Sequence, residues 1–207
     1  MNSVALLVIA KEPLPGQTKT RLTPPCSPAE AAGLAGASLW DTLDVVARTP
    51  AARRVLVFEG DDRGWRPDGF ELLAQRGRGL GERLASAFAD VGTPALVVGM
   101  DTPQLTPGLL VDAMRALAEP DVDAVLAPTL DGGYWTVGFK AAAPRAFERV
   151  PMSSRSTCAR QRQRLGELGL RVHEAPSLRD VDTIEDARAV AQAAPHTRFA
   201  RALAALA

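Results

Sequence analysis

The sequence predicts an α/β protein, a single-domain, three-layer α/β/α sandwich whose sheet is mostly parallel with one antiparallel strand at an edge. Short apolar segments alternate with helix-like segments along the chain, an order typical of strand–helix–strand crossovers. The apolar segments are continuous rather than alternating, which indicates strands that are buried on both faces. The 207 residues contain no internal repeat and no linker, so we expect one domain over residues 1–207.

Four apolar segments predict the central strands of this sheet. They are VALLVIA (residues 4–10), RVLVF (54–58), ALVVG (95–99) and AVLAPT (124–129). FELLAQ and RVHEA are weaker strand candidates. The segment YWTVGF (134–139) interrupts the alternation of strands and helices, so we expect it to be the antiparallel edge strand.

The segments between the strands carry helix start signals. Ser27, Pro28 and Glu30 form a capping-box pattern ahead of a long helical segment. Thr106 precedes a second helix, Thr183 precedes a third, and GERLASAFADV is also helical in pattern. The last stretch, RFARALAALA, predicts a short amphipathic helix that docks on the domain or on a second subunit, so a homodimer is one open alternative.

Charge and cysteine content exclude several classes of partner and compartment. Lys plus Arg and Asp plus Glu both number 24, so no overall field favours nucleic acid or an anionic membrane. Cys26 and Cys158 are far apart in sequence, and we expect two free thiols in a reducing cytoplasm. The apolar start of the chain is too short to span a membrane, so we expect a cytoplasmic protein without membrane contact.

Charged residues follow the predicted strands, at the sheet edge where open α/β proteins bind ligands. They are Lys11, Lys19 and Arg21 after the first strand, Asp101 and Asp131 after two later strands, and Asp180 and Asp182 after the last. Because the carboxyl ends of parallel strands meet at one edge, we expect these cations and carboxylates to lie together. The first loop, AKEPLPGQTKTRL, has the composition of an anion-binding loop.

Carboxylates that converge repel one another, and a divalent cation relieves that repulsion. We therefore expect Mg²⁺ or Mn²⁺ among these strand-end carboxylates. Asp180 and Asp182 are spaced i, i+2, so they point to one side of an extended segment. Lys19 and Arg21 have the same spacing and would hold phosphate groups opposite the metal.

Each motif alone also has a structural interpretation. Asp180 and Asp182 could pair with neighbouring arginines or lead into the next helix, and DGG (131–133) is also a turn signal. The loop that contains Lys19 and Arg21 could be a solvated turn. With two histidines, no P-loop and no GxGxxG after the first strand, a catalytic triad, a P-loop enzyme and a dinucleotide enzyme are disfavoured.

Taken together, the motifs resemble the nucleotide-diphospho-sugar transferase superfamily, which has a GT-A type, Rossmann-like fold. They are AKEPLPGQTKTRL, GLGERLASAF, GMDTPQLT, PTLDGGYWTVGF and RDVDTIEDA, in this order over nearly the whole chain. Within the superfamily, the chain looks like the bacterial glycosyltransferase-like proteins of the radical-SAM-associated and arsenosugar-biosynthesis type. It is more distantly similar to phospholactate guanylyltransferases.

The resemblance implies a role for each motif. The catalytic residues would be Lys19, Arg21 and Asp101, and the metal ligands Asp101, Asp180 and Asp182. The nucleotide would contact Ala10, Lys11, Gly16, Lys19, Gly81 and Arg83, and the acceptor would contact Asp131, Gly132, Gly133 and Tyr134.

We therefore expect a metal-dependent transferase that binds a nucleotide, either an NTP or an NDP-sugar, and a small-molecule acceptor. The KTRL and DVDT motifs favour nucleotidyl transfer, in which a phosphorylated acceptor attacks an NTP and releases pyrophosphate. Arg155 is a candidate cation for that acceptor phosphate. Glycosyl transfer from an NDP-sugar is the alternative, and a non-catalytic nucleotide-binding protein is a third interpretation.

Overall fold

A computed structural model describes residues 3–62 and 64–206, and its centre is a seven-stranded sheet in the order β3-β2-β1-β4-β6-β5-β7. The strands are β1 (Ala5–Lys11), β2 (Arg53–Glu59), β3 (Glu71–Ala74), β4 (Ala95–Gly99), β5 (Ala124–Pro128), β6 (Tyr134–Phe139) and β7 (Val172–Glu174). The four predicted central strands and both weaker ones are present. The central strands are buried along most of their length, which matches their continuous apolar sequences.

Strand β6 is the one strand of the described sheet that runs against the others. It pairs antiparallel with both β4 and β5, whereas all the other pairs of strands are parallel. We expected this strand at an edge, and the structure places it inside the sheet. Residues 135–139 are all buried, and an edge position would have exposed part of this apolar segment to water. The α/β class and the mostly parallel sheet are confirmed.

Six helices surround the sheet in the described residues. They are α1 (Pro28–Arg48), α2 (Leu80–Val91), α3 (Pro107–Ala118), α4 (Thr157–Glu167), α5 (Ile184–Ala193) and α6 (Arg198–Ala204). The capping box before α1 is formed as predicted, since Ser27 and Glu30 bond reciprocally. Thr106 and Thr183 cap α3 and α5 through their side chains, also as predicted.

Three apolar clusters define the layers. Helices α1 and α3 share one cluster with one face of the sheet, and α2 and α4 share another with the opposite face. Helices α5 and α6 pack on the outer side of α1, where Phe199 of α6 is buried beside Leu34. Both cysteines are buried free thiols, as expected. None of the helices within the described ranges is long and apolar enough to cross a membrane.

The carboxyl ends of the parallel strands meet at one edge of the sheet. Strands β1 and β2 end side by side at Lys11 and Glu59, and beyond β5 and β7 Thr129 pairs with Leu178. Because β6 is reversed, its amino end lies at the same edge. The loop between β5 and β6 therefore joins the loops that follow β1 and β4, and this edge carries the candidate site.

Candidate functional site

Lys19 and Asp101 form an ion pair at this edge. The Lys19 ammonium lies 2.6 Å from Asp101 Oδ1 and also donates to the backbone carbonyl of Val181. Lys19 has a left-handed backbone, with φ of 52°, just before a 3₁₀ turn (Thr20–Leu22), and residues other than glycine rarely adopt this conformation. Its side chain is only 9% exposed. The first loop therefore directs this lysine inward, towards the carboxylates.

Three carboxylates, those of Asp101, Asp131 and Asp180, line one cavity beside this lysine. The pKa of Asp180 is raised to about 6, chiefly by burial and then by the negative charge of Asp131. Lys19 lowers the pKa of Asp180, but not enough to cancel these effects. Like charges held together in this way favour a bound cation. Within residues 3–62 and 64–206, no three His, Cys, Asp or Glu side chains are already arranged to hold a metal ion.

Asp182 has a different partner from Asp180. It forms an ion pair with Arg21, whose side chain is 73% exposed. The hydrogen bond and the charge of Asp182 raise the pKa of Arg21. Between the two aspartates, the backbone N–H of buried Val181 donates to the Asp101 carbonyl at 2.9 Å and joins the last loop to the end of β4. The structure therefore brings Asp101 and Asp180 to the cavity, whereas Asp182 lies outside its lining.

Two cavities share a wall at this edge. The larger, of about 590 Å³, is lined by Ile9, Ala10, Lys11, Glu59, Gln75, Leu80, Arg83, Leu84, Val97, Gly99, Met100, Asp101, Tyr134, Trp135 and Ser153. The smaller, of about 200 Å³, is lined by Leu80, Gly99, Asp101, Thr102, Thr129, Asp131, Gly133, Tyr134, Trp135, Ser153, Ser154, Thr157 and Asp180. Asp101 belongs to both linings.

The larger cavity contains three of the residues predicted to contact a nucleotide. Arg83 reaches it from α2, forms an ion pair with Glu59 and donates to Gln75 Oε1 at 3.2 Å. The Gln75 amide in turn donates to the Ala10 carbonyl at 2.7 Å. Lys11 donates to the carbonyl of Gln17 at 3.1 Å. The wall of this cavity therefore combines cations with groups that can form hydrogen bonds.

The other three predicted nucleotide contacts, Gly16, Lys19 and Gly81, lie outside both linings, although Lys19 contacts Asp101 at 2.6 Å. Gly16 is an exposed turn residue with φ of +74°, and a Cβ added there would meet nothing within 4 Å. A Cβ on Gly81 would lie 3.3 Å from Met152 Cε and 3.5 Å from the Phe147 carbonyl. The absence of a side chain at Gly81 thus allows α2 to pack against the chain before α4.

The smaller cavity contains the predicted acceptor residues Asp131, Gly133 and Tyr134. Asp131 Oδ1 accepts from the Thr129 hydroxyl at 2.6 Å and from the Gly133 amide at 2.8 Å, which fixes the carboxylate. Tyr134 is largely buried, and this burial raises the pKa of its phenol, which keeps it neutral. The loop after β5 thus presents one oriented carboxylate to the cavity.

Gly132 supports this loop without lining the cavity. It has φ of +94°, and a Cβ there would lie 2.0 Å from the Arg155 carbonyl oxygen. Its own carbonyl accepts from the Cys158 amide at 2.8 Å. Gly132 therefore lets the β5–β6 loop contact the segment before α4. The Arg155 side chain is exposed and is not part of the cavity wall.

The two cavities are also lined by residues with hydroxyl and amide side chains that were not among the predicted site residues. They are Gln75 in the larger cavity and Thr102, Thr129, Ser153, Ser154 and Thr157 in the smaller one. Two of these residues could have been selected from their positions in the sequence, because Gln75 is the last residue of the predicted strand FELLAQ and Thr102 directly follows Asp101. Ser153 has a left-handed backbone, with φ of 55°, which the sequence does not reveal.

Solved structures share this fold. A candidate nucleotide-diphospho-sugar transferase from Desulfovibrio desulfuricans G20 superposes with a TM-score of 0.87 at 27% identity, over 100% of this chain and 94% of that chain. A CMP:2-keto-3-deoxy-manno-octonic acid synthetase complexed with CTP gives 0.60 at 11% identity, over 94% and 99%. Rv0371c from Mycobacterium tuberculosis H37Rv, in complex with manganese, gives 0.58 at 20% identity, over 92% and 98%.

The likeness to these structures confirms the resemblance to nucleotide-diphospho-sugar transferases that the motifs suggested. No curated protein matches the chain in sequence. The profile of one bacterial family matches residues 42–154, more than half of the chain. This chain belongs to that family, DUF2064, which is described as an uncharacterized protein conserved in bacteria.

Proposed function

We propose that this chain is a metal-dependent transferase that moves a group from a nucleotide donor to a small-molecule acceptor. The observation that carries this proposal is the wall shared by the two cavities. Asp101 belongs to both linings, and Lys19 contacts it at 2.6 Å. A donor in the larger cavity and an acceptor in the smaller one would meet at this pair of charges.

The larger cavity suits a nucleotide. Its volume of about 590 Å³ lies within the range of roughly 300–1,000 Å³ that is usual for small-ligand sites. Gln75 and Glu59 offer hydrogen-bonding groups for a base or ribose, and Lys11 and Arg83 supply positive charge. The N-cap of α2 is Gly79, so no side chain caps the amides of the first helical turn, and uncapped amides at a helix start are suited to binding a phosphate. The neighbour that was solved with CTP supports this assignment by its fold.

The carboxylates fit a divalent cation. Hard cations such as Mg²⁺ take oxygen ligands, and Asp101 and Asp180 would hold one between them, with Asp182 available only if Arg21 releases it. The raised pKa of Asp180 supports this fit, because it reflects burial of the carboxylate and, after that, the negative charge of Asp131, and a cation would offset both. When bound, the metal would supply positive charge beside the donor phosphates. The neighbour solved with manganese also supports this cofactor.

Lys19 would stabilise the charge that develops on the leaving group. Its ammonium is held in place by its constrained backbone and by the Val181 carbonyl. A preorganised cation of this kind needs little reorganisation during the reaction. Arg21 is exposed and paired with Asp182, so it would contact phosphate groups only after that ion pair opens.

Two transfer reactions use these parts. In nucleotidyl transfer, which we propose first, an acceptor oxygen attacks the α-phosphorus of an NTP and pyrophosphate leaves. In glycosyl transfer, the acceptor attacks the sugar carbon of an NDP-sugar and NDP leaves. The 27% identical neighbour favours the second reaction by its name, and the synthetase complexed with CTP favours the first.

The test is a panel of the four NTPs and common NDP-sugars, each with Mg²⁺, Mn²⁺ or EDTA and a pool of small acceptors. We expect release of pyrophosphate or of NDP, dependent on the metal. Asp101→Asn should abolish this release, whereas Asp112→Asn should not, because Asp112 lies on the outer surface of α3 with 71% of its side chain exposed. Nucleotide binding without either product would indicate a binding protein, and no binding at all would refute the proposal.

A further inference from the structure

We infer that the smaller cavity takes a polyhydroxylated acceptor that carries no phosphate group, and that the buried Thr102 hydroxyl positions it. This inference rests on the proposed function and names its acceptor class. It departs from the phosphorylated acceptor that the sequence favoured.

The charges around the smaller cavity disfavour a phosphate. Its lining contains three carboxylates and neither lysine nor arginine. The nearby cations are already paired, Lys19 with Asp101 and Arg21 with Asp182. A metal bound by Asp101 and Asp180 would neutralise those two carboxylates but would leave the charge of Asp131 on the acceptor side. An additional phosphate dianion would therefore meet a wall of its own sign.

The start of α4 does not supply the missing positive charge. Helix N-termini bind anions through free amides. Here the Thr157 amide already donates to the Ser154 carbonyl at 3.0 Å, and the Cys158 amide donates to the Gly132 carbonyl at 2.8 Å. The hydroxyls of Ser154 and Thr157 remain at the cavity as neutral polar groups.

Thr102 provides a separate indication of a ligand. It is 2% exposed, it lines the smaller cavity, and its hydroxyl has no hydrogen-bond partner within the described residues. A buried hydroxyl without a partner is unfavourable and rare in native proteins. A hydroxyl group of an acceptor would satisfy it, and the adjacent Asp101 places that contact beside the transfer point.

Size and lining support the same class of ligand. The volume of about 200 Å³ corresponds to about six or seven water molecules at roughly 30 Å³ each, so a small polyol fits. Trp135 and Leu80 supply apolar surface for its carbon skeleton. Thr129 and Ser153 supply polar side chains for its hydroxyl groups.

Asp131 is placed to accept the proton of the attacking hydroxyl. Its Oδ1 is occupied by Thr129 and Gly133, which leaves Oδ2 for the acceptor. The acceptor oxygen forms a bond to the α-phosphorus or to the sugar carbon. The bond from that atom to the leaving oxygen breaks, pyrophosphate or NDP leaves with the electron pair, and Asp131 holds the proton.

The experiment records the three tryptophan indole N–H signals by NMR in protein saturated with Mg²⁺ and the nucleotide that binds. Matched probes are added: glycerol against glycerol 3-phosphate, and glucose against glucose 6-phosphate, up to high millimolar concentration. Only the Trp135 signal should move, because Trp135 lines the cavity, while Trp40 and Trp65 pack together near α1 and report non-specific effects.

We expect the neutral probes to move the Trp135 signal and the phosphate esters not to. Thr102→Val should weaken the affinity for the neutral probes about tenfold, as expected for one lost hydrogen bond. The melting temperature of this variant should stay equal or rise. Thr42→Val is the matched control: this buried hydroxyl donates to the Ser38 carbonyl, so the variant should lose stability and keep the probe response.

The inference is overturned if a phosphate ester binds in the cavity more tightly than its neutral partner, or if neither neutral probe moves the Trp135 signal. It is also overturned if Thr102→Val binds the probes like the unsubstituted protein. Failure of the proposed function is distinguishable from failure of this inference. It would appear before any probe is added, as an absence of nucleotide binding by titration calorimetry.

Discussion

Replacing Lys19 by methionine tests whether this lysine neutralises the carboxylate cluster. The substitution keeps the length and apolar stem of the side chain and removes its charge. Asp101 then loses a partner at 2.6 Å, and the cluster with Asp131 and Asp180 loses its nearest cation. We therefore expect metal-free Lys19→Met protein to be less stable than the unsubstituted protein.

The magnitude follows from the exposure of the two partners. Removing one partner of a fully buried pair costs about 3–5 kcal/mol, whereas an exposed pair contributes about 0–1 kcal/mol. The Lys19 side chain is 9% exposed and that of Asp101 is 50% exposed, so the pair lies between these limits. We expect a loss of about 1–2 kcal/mol, or about 3–6 °C in melting temperature for a chain of this size.

The assay is thermal and urea unfolding in EDTA and in excess Mg²⁺. A divalent cation should replace the missing charge, so Mg²⁺ should stabilise Lys19→Met more than it stabilises the unsubstituted protein. Lys140→Met is the control, since Lys140 follows β6 at the opposite end of the sheet. Equal stability of Lys19→Met and the unsubstituted protein in EDTA, or a loss that Mg²⁺ leaves unchanged, would refute this reasoning.

Other predictions concern pH and two glycines. The pKa of Asp180 is raised to about 6 from 3.8, so between these values the folded protein holds a proton that the unfolded chain has released. Metal-free stability should therefore fall as pH rises from about 4 to 6, and Asp180→Asn should remove this dependence in urea unfolding. Mg²⁺ affinity, measured by calorimetry, should rise with pH through about 6, and a flat profile would contradict the assignment. Gly132→Ala should cost about 3 kcal/mol or more, because it adds backbone strain to a clash with Arg155. In α4, a Cβ added at Gly166 has no atom within 4 Å, so Gly166→Ala should instead raise the free energy of unfolding by about 0.5–1 kcal/mol. Similar melting temperatures for the two variants would be inconsistent with this packing.

Much of the architecture could be predicted because local signals and global packing agree. The capping box at Ser27 and the cap at Thr106 depend on neighbouring residues alone, and both are formed. The buried strands appear in the sequence as continuous apolar runs. The position of β6 could not be predicted in this way, because the order of strands depends on pairing between distant segments.

The site was predictable in outline but not in its partners. The rule that strand ends gather at one edge brought Asp101 and Asp131 into consideration, and the structure places both at one cavity. The i, i+2 spacing of Asp180 and Asp182 did not reveal that Arg21 pairs with the second carboxylate. Nor does composition reveal that Lys19 is nearly buried, because its inward direction depends on one left-handed backbone angle.

The most direct test of the proposed transferase site is a crystal structure with Mn²⁺ and a non-hydrolysable nucleotide, with the metal located by anomalous scattering. We expect one manganese peak in contact with Asp101 and Asp180, and the nucleotide in the larger cavity with its phosphates beside Lys19. A nucleotide bound elsewhere, or a manganese peak that contacts neither carboxylate, would contradict the assignment of this sheet edge as the site of transfer.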